Sequence, residues 1–159
     1  MKSKIIALFI FISVCSFGQI NFVEGYFIDN SDLKTAGWIG IEDQQNNPKG
    51  FRFKSTQNGE EISKSISEVK EFGLNGTTKF VRATVKIDTS SQNIQVLSTN
   101  PEPEFVTKTL FLEVLVEGSN KLYFYTDSQI SDKFFFSNKT SEIEQLVAQP
   151  SLSTEIRAL

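Results

Sequence analysis

Apolar and polar residues alternate strictly between Phe80 and Asp88, and this pattern limits the chain to a small set of folds. The apolar positions of the alternation are Val81, Ala83, Val85 and Ile87. Because successive side chains of a β-strand point to opposite faces, a period of two predicts a strand with one buried face and one face in solvent. The segment is therefore expected to lie in a sheet that covers a core.

Similar β-forming runs, separated by turn residues, extend along most of the chain. They lie at residues 25–29, 33–42, 51–54, 61–66, 109–117, 121–126 and 133–137. The run at 109–117 carries apolar residues on both faces, which predicts a central position in a sheet. Gly118, Ser119 and Asn120 follow this run and predict a hairpin. The predicted fold class is all-β, mainly an antiparallel sandwich or a small open barrel, with one or two short helices.

The first short helix is predicted between two strand runs. Ser67 is placed to cap a turn that contains Val69 and Phe72. Gly73 is placed to end that turn.

The second short helix is predicted near the C-terminus. Ser141 and Glu144 fit the capping-box pattern, and Pro150 stops the helix. The residues that share its apolar face are Ile143, Leu146 and Val147. A polar stretch at about 90–105 is predicted to be a long loop.

The N-terminus has the three parts of a secretory signal peptide. Lys2 and Lys4 form a short positive region, and an apolar run follows at 5–14. Ser16 and Gly18 supply the small-x-small spacing that signal peptidase accepts. The apolar run is too short to span a membrane, which takes about 20 apolar residues. We therefore expect cleavage after Gly18.

Cleavage at this point divides the chain into three parts. Residues 1–18 are the signal peptide, 19–150 are expected to form a single β-rich domain, and 151–159 a flexible tail. Cys15 lies where a lipoprotein would carry its acylated cysteine, but Val14 precedes it where lipoprotein processing requires a small residue. The prediction is an exported protein without a lipid anchor or a transmembrane span. Its expected location is the periplasm, the periplasmic face of the outer membrane, or the outside of the cell.

The composition excludes several kinds of chemistry. The chain has no histidine, and its single cysteine, Cys15, leaves with the signal peptide. Nucleophiles activated by an imidazole and ordinary zinc sites are therefore ruled out. No glycine-rich phosphate loop is present, and the formal net charge of −3 argues against nucleic acid as a partner. The sequence predicts no catalytic residue, no metal ligand and no cofactor.

Carboxylate pairs remain, and with them the chemistry of glycoside hydrolysis. The pairs are Glu60–Glu61, Glu42–Asp43 and Glu102–Glu104. Adjacent residues of a strand point to opposite faces, so adjacent carboxylates seldom meet at one bond. We interpret these residues as solvated surface and keep a carboxylate-dependent glycan hydrolase as an alternative function.

Three aromatic residues are candidate ligand contacts. Trp38 lies between two glycines, and is either an exposed platform that stacks a sugar or peptide, or a core residue with close neighbours. Tyr123 and Tyr125 share a strand face opposite Leu122 and Phe124, and either line a groove or are ordinary surface tyrosines.

Several short segments, in their order along the chain, resemble a known group of proteins. They are GYFID at 25–29, GWI at 37–39, NP at 47–48, SEVKEFG at 67–73, FLEVLVEG at 111–118 and LY at 122–123. Over residues 22–147 the chain is similar to uncharacterised exported β-rich proteins of Bacteroidetes-type bacteria. In longer members, a domain of this kind resembles the soluble N-terminal domain that precedes an outer-membrane β-barrel. The resemblance implies an exported β domain and supplies no catalytic residues.

The predicted function is that of a non-catalytic, envelope-associated module that binds a partner, either an envelope protein or a glycan. The alternatives are the glycan hydrolase and a small barrel that carries a lipid in an apolar cavity. Export, β architecture and the lack of catalytic groups in the sequence favour the binding module.

Overall fold

The computed structural model describes residues 20–43, 45–90 and 104–147, and it contains ten β-strands and no helix in these ranges. The strands are β1 (Phe22–Asp29), β2 (Lys34–Gly40), β3 (Gly50–Lys54), β4 (Ile62–Ser65), β5 (Val69–Leu74), β6 (Thr78–Asp88), β7 (Phe105–Val116), β8 (Asn120–Tyr125), β9 (Lys133–Asn138) and β10 (Glu144–Gln145). The predicted signal peptide, the predicted tail and most of the predicted loop at 90–105 lie outside the described residues. Each predicted run corresponds to a strand, whereas β5 and β10 occupy the segments predicted to be helical.

All ten strands belong to one antiparallel sheet, in the order β10-β9-β8-β7-β6-β5-β1-β2-β3-β4. Most neighbours in the sheet are also neighbours in sequence, as short hairpin connections require. The sheet curls into a half-barrel, so that β10 at one edge contacts β6, where Asp88 N donates to Gln145 Oε1 at 2.8 Å. The all-β, antiparallel prediction is confirmed, and β7 lies in the interior of the sheet as expected.

The sheet buries apolar side chains on both of its faces, as two consecutive residues of β7 demonstrate. Phe111 and Leu112 are 1% and 0% exposed, although neighbouring residues of a strand point to opposite faces. Phe111 packs in a first core that contains Phe72, and Leu112 packs in a second core that contains Phe135. Strands β6 and β7 therefore support two cores on opposite faces of one sheet.

Phenylalanine dominates the first core. Its buried members are Phe27, Ile39, Phe51, Phe53, Val69, Phe72, Phe80 and Phe111. The ring centroid of Phe72 lies 4.5 Å from that of Phe51, 4.9 Å from that of Phe80 and 5.0 Å from that of Phe111. Phe72 is therefore the residue around which this core is packed.

The first predicted helix is wrong, because a β-bulge places two apolar residues three positions apart on the same face, as a helix would. Val69 and Phe72 both point into the first core, although residues three apart in a regular strand face opposite sides. The register of β5 against β1 shifts between Ile28 and Asp29, so that Lys70 is an extra residue in β5. One extra residue restores both apolar side chains to the same face.

A hairpin turn joins the end of β5 to β6. Asn75 and Gly76 have positive φ angles of 46° and 67°, and Thr77 N donates to Leu74 O at 2.9 Å. Two consecutive positive φ angles define a turn for which Asn–Gly is the strongest sequence signal. Gly73 is therefore a strand residue rather than a helix end.

The second predicted helix, at 141–147, is also wrong, because its polar residues close a turn. Asn138 Oδ1 accepts hydrogen bonds from the backbone N of Thr140 at 2.9 Å and of Ser141 at 2.8 Å. Ser141 Oγ accepts in turn from Asn138 N at 2.9 Å. Strand β10 then pairs with the outer edge of β9, which offers backbone partners that stabilise an extended segment better than a short isolated helix.

The loop between β2 and β3 is tied to the other half of the sheet through Asn47, which is 6% exposed. Asn47 Nδ2 donates to the carbonyl oxygens of Phe111 on β7 and Phe124 on β8, each at 3.0 Å. Its Oδ1 accepts from Thr126 N at 3.1 Å, and its own backbone N donates to Thr126 O at 2.9 Å. The β7–β8 ladder has its last pair at Glu113 and Phe124. Asn47 thus replaces ladder hydrogen bonds where these strands separate.

Lys133 and Asp88 form a buried ion pair beside the second core. Lys133 Nζ lies 3.2 Å from Asp88 Oδ2, and the two side chains are 8% and 15% exposed. Burial acts to raise the pKa of the Asp88 carboxyl, but hydrogen bonds from Ser90 and the Lys133 ammonium outweigh it and hold this pKa below its ordinary value. A carboxyl of this kind stabilises the fold above its unfolded pKa of about 3.9, and the contribution is lost as the pH falls through the lower, folded pKa.

Asp88→Asn is expected to lower the free energy of unfolding by about 2 kcal/mol at pH 7, because the buried Lys133 ammonium loses its counter-charge but keeps an oxygen partner. Urea unfolding at pH 7 and at about pH 2 measures the effect, and the variant should lose less stability between these values than the wild type. Asp32→Asn, in an exposed ion pair with Lys70, is the matched control and should have little effect. Equal effects of the two substitutions at pH 7 would contradict the assignment.

Candidate functional site

Strands β8 and β9 carry large apolar residues on both faces. Tyr123, Tyr125 and Phe135 point into the second core and are at most 4% exposed. The alternate residues of β8 and β9 point away from that core. Leu146, which follows β10, points the same way, because its backbone N donates to Phe134 O at 2.8 Å. These residues are Leu122, Phe124, Phe134, Phe136 and Leu146, and we call them the phenylalanine face.

The described residues cover the phenylalanine face only in part. Phe134 is 43% exposed and Leu146 is 54% exposed, and the other three side chains are half-buried. Phe124 and Phe134 are cross-strand partners with ring centroids 5.3 Å apart, and neither belongs to the first or the second core. Single exposed apolar residues are ordinary, but a contiguous apolar row across neighbouring strands is typical of an interaction surface.

Tyr123 and Tyr125 can be buried in the second core because their hydroxyl groups form hydrogen bonds there. Tyr123 Oη lies 3.2 Å from Ser137 Oγ, and Tyr125 Oη donates to Asp127 Oδ2 at 2.7 Å. Burial and the hydrogen bond to Asp127 raise the pKa of Tyr125, so its hydroxyl stays a neutral donor. A buried hydroxyl with a partner costs little free energy, and the phenylalanines of β8 and β9 are left on the opposite face. Neither tyrosine ring is accessible to a ligand in this structure.

Trp38 lies apart from the phenylalanine face. It is half-buried on β2, and its cross-strand neighbours are Glu24 on β1 and Lys54 on β3. The next residue, Ile39, points into the first core, so Trp38 points to the opposite side of the sheet. The structure therefore does not bring Trp38 together with the other two candidate contacts.

The sequence contains one signal for the phenylalanine face, at residues 134–136. Three consecutive phenylalanines in a strand place at least one ring on each side of the sheet. Phe135 fills the second core, so Phe134 and Phe136 are necessarily on the other side. Whether other residues cover them depends on the curl of the whole sheet, which no local pattern contains.

A cleft of about 300 Å³ adjoins the phenylalanine face beneath the β2–β3 loop. Phe80, Glu113 and Phe124 line it and are cross-strand neighbours on β6, β7 and β8. Burial raises the pKa of the Glu113 carboxyl above its ordinary value. Phe124 belongs both to the cleft and to the phenylalanine face, so the two form one continuous surface.

Asp43 is the second carboxylate of this cleft, but its own loop holds it. Asn46 Nδ2 donates to Asp43 Oδ2 at 2.6 Å, and Gln45 N donates to Asp43 Oδ1 at 2.9 Å. These hydrogen bonds lower the pKa of Asp43. Glu113 is therefore the one carboxylate in the described lining of this cleft that has no hydrogen bond from a described residue.

Of the acidic pairs of the sequence analysis, Glu42 and Asp43 both line a second cleft, of about 430 Å³, together with Arg52 and Asp127. Glu42 and Glu61 both contact Arg52 Nε, at 2.8 Å and 3.7 Å, in an exposed group of ion pairs. Glu102 lies outside the described residues. Both members of the Glu42–Asp43 pair are held by partners, Glu42 by Arg52 and Asp43 by its own loop.

Within residues 20–43, 45–90 and 104–147, no cluster of three or more acidic, histidine or cysteine side chains is placed to hold a metal ion. The same residues include no helix of the length and apolarity needed to cross a membrane. Comparison of the chain with protein-family models, curated proteins and solved structures finds no match. The function is therefore inferred from the surface itself.

Proposed function

We propose that the chain is an exported, non-catalytic module of the cell envelope that binds a partner protein through the phenylalanine face. The observation that carries the proposal is the exposure of Phe134 and Leu146 in a row with three further apolar side chains. The signal peptide predicted at 1–18 and the resemblance to exported β-rich proteins support the location.

Covering the phenylalanine face supplies a driving force for association. Burial of a phenylalanine or leucine side chain contributes about 1.5–3 kcal/mol, and aromatic residues are enriched at the centres of protein interfaces. Strand pairing already fixes the backbone of Phe124 and Phe134. The conformational entropy lost on binding is therefore small for these residues.

The chemistry of the face favours a protein over a glycan. A sugar ring that stacks on an aromatic side chain also needs nearby polar groups that fix its hydroxyls. The five members of the phenylalanine face are apolar, and Glu144, the cross-strand partner of Phe136, is the carboxylate that strand pairing places beside them. Trp38, with Glu24 and Lys54 beside it, is better equipped for a glycan and remains the candidate contact for that second class of partner.

The two alternative functions receive less support. Hydrolysis of a glycoside needs two carboxylates that act together, and in the cleft beside the face only Glu113 is not engaged by the surrounding described residues. A lipid carrier needs an apolar cavity, and the second core is instead filled by buried side chains, among them Tyr123 and Phe135.

Phe134→Lys is expected to leave the fold intact and to reduce capture of the envelope partner about tenfold or more. The reason is that the interface loses a buried ring and gains an ammonium group that must be desolvated. Leu33→Lys is the matched control, because Leu33 is 62% exposed and lies between β1 and β2, outside the face. The immobilised wild type and both variants are incubated with solubilised envelope, and the eluted proteins are quantified by mass spectrometry. Equal capture by all three would contradict the proposal.

A further inference from the structure

Glu113 is a carboxylate without a described partner at the border between the first core and the phenylalanine face. Its cross-strand neighbours are Phe80 on β6 and Phe124 on β8. Burial is the cause of its raised pKa, and no hydrogen bond or ion pair reaches it from the residues that the structure describes. This half-buried carboxylate between two aromatic rings has lost part of its hydration without gaining a cation from the described residues.

The cleft around Glu113 is acidic. Asp43 and Glu113 both line it, and its described lining includes no lysine or arginine. The remaining lining consists of aromatic, aliphatic, amide and hydroxyl side chains. With a volume of about 300 Å³, the cleft has room for one long side chain from a partner that lies over Phe124.

We infer that the partner protein presents a lysine or arginine to Glu113 while its apolar residues cover Phe124 and Phe134. The inference rests on the proposed function, because it assigns the chemistry of the partner at the same surface. Charge complementarity selects a cation here. An acidic side chain would meet two carboxylates, and an apolar one would desolvate Glu113 further without neutralising it.

The register of the sheet also sets the spacing of the partner's residues. Glu113, Phe124 and Phe134 are direct neighbours across β7, β8 and β9. Adjacent strands are about 5 Å apart, which is close to the distance between helix residues three or four positions apart and between alternate residues of a strand. The partner is therefore expected to carry a basic residue two to four positions from an apolar one.

Selection from a peptide library tests the inference without prior identification of the partner. Random dodecapeptides displayed on phage are selected in parallel on the wild type, Glu113→Gln, Phe134→Lys and Glu60→Gln. Glu60 is exposed in the turn before β4, so Glu60→Gln removes the same charge away from the cleft. The wild type and Glu60→Gln should enrich apolar residues with a lysine or arginine at the stated spacing.

Selection on Glu113→Gln should keep the apolar residues and lose the basic one. A synthetic copy of the most enriched wild-type peptide should bind Glu113→Gln about tenfold more weakly than the wild type, and with a smaller dependence on salt. Glu60→Gln should bind this peptide as the wild type does.

The outcomes separate the inference from the proposed function. The role of Glu113 is overturned if the selected peptides are apolar and depend on Phe134 but show no preference for a basic residue. It is also overturned if that preference is still present on Glu113→Gln. Either result leaves the phenylalanine face in place. A selection that does not distinguish the wild type from Phe134→Lys counts against the face, and therefore against both.

Discussion

Replacing Phe72 with alanine should lower the free energy of unfolding by about 4 kcal/mol, the largest effect that we expect from a single substitution. Phe72 is fully buried, and its ring packs against those of Phe51, Phe80 and Phe111. Strand β5 is paired on both sides, with β1 and β6, so the backbone cannot move in to fill the cavity. Urea unfolding followed by the fluorescence of the single tryptophan, Trp38, measures the loss.

Phe134→Ala is the matched control for this substitution. It removes the same ring from a side chain that is 43% exposed, so its effect on the free energy of unfolding should be about 0.5 kcal/mol or less. A loss close to that of Phe72→Ala would mean that the isolated protein buries Phe134 in solution. That result would contradict the exposure of the phenylalanine face.

Asn47→Ala is expected to lower the free energy of unfolding by about 3 kcal/mol, because buried backbone groups without a partner cost about 1–3 kcal/mol each. The substitution leaves Phe111 O, Phe124 O and Thr126 N without the side-chain partner that each has in the wild type. Water that enters the vacated space recovers part of the loss. Urea unfolding of the wild type and the variant gives the difference.

Two further variants test whether the amide group of Asn47 is responsible. Asn46→Ala removes a hydrogen bond to Asp43 within the exposed loop and should cost little stability. Asn47→Asp keeps the size of the side chain but places a carboxylate oxygen beside two carbonyl oxygens. It should destabilise at least as much as alanine at pH 7, and less at about pH 3, where the carboxyl is largely protonated. Similar stabilities of Asn46→Ala and Asn47→Ala would contradict the role of Asn47 as a tie between the halves of the sheet.

The existence of most strands follows from the sequence because the pattern that defines them is local. The alternation that ends at Asp88 reappears as β6, and the two-sided apolar run that contains Phe111 and Leu112 is the strand shared by both cores. A strand with two apolar faces is expected to have neighbours on both sides, so the pattern of the run at 109–117 is enough to predict the interior position of β7.

The two helices could not be rejected in the same way, because their polar and apolar spacing is satisfied equally well by other structures. The bulge at Lys70 returns Val69 and Phe72 to one face, and Asn138 uses Ser141 to close a turn. Both arrangements depend on a partner strand, β1 in one case and β9 in the other. Local propensity does not contain that information.

The candidate site was predicted least well, for a related reason. Tyr123 and Tyr125 are the candidate contacts on β8, but their side chains are buried and their hydroxyl groups have partners in Ser137 and Asp127. The sequence cannot reveal which of two apolar faces a curled sheet encloses. Glu113 gives no signal in the sequence, because the two rings beside it belong to other strands.

Thiol labelling in the presence of envelope components tests the central claim most directly. Cys15 is the one cysteine of the sequence, so a chain that starts at Gln19, after the predicted signal peptide, carries a single reactive group in Phe134→Cys and in Leu33→Cys. Phe135→Cys serves as an internal reference, because its side chain lies in the second core and should stay unreactive while the protein is folded.

Phe134→Cys should react rapidly with a maleimide when the protein is alone, and about tenfold more slowly when solubilised envelope is added at a saturating concentration. Leu33→Cys should react at the same rate under both conditions. If the envelope fraction leaves the labelling rate of Phe134→Cys unchanged, the phenylalanine face is not the surface through which this protein binds its partner.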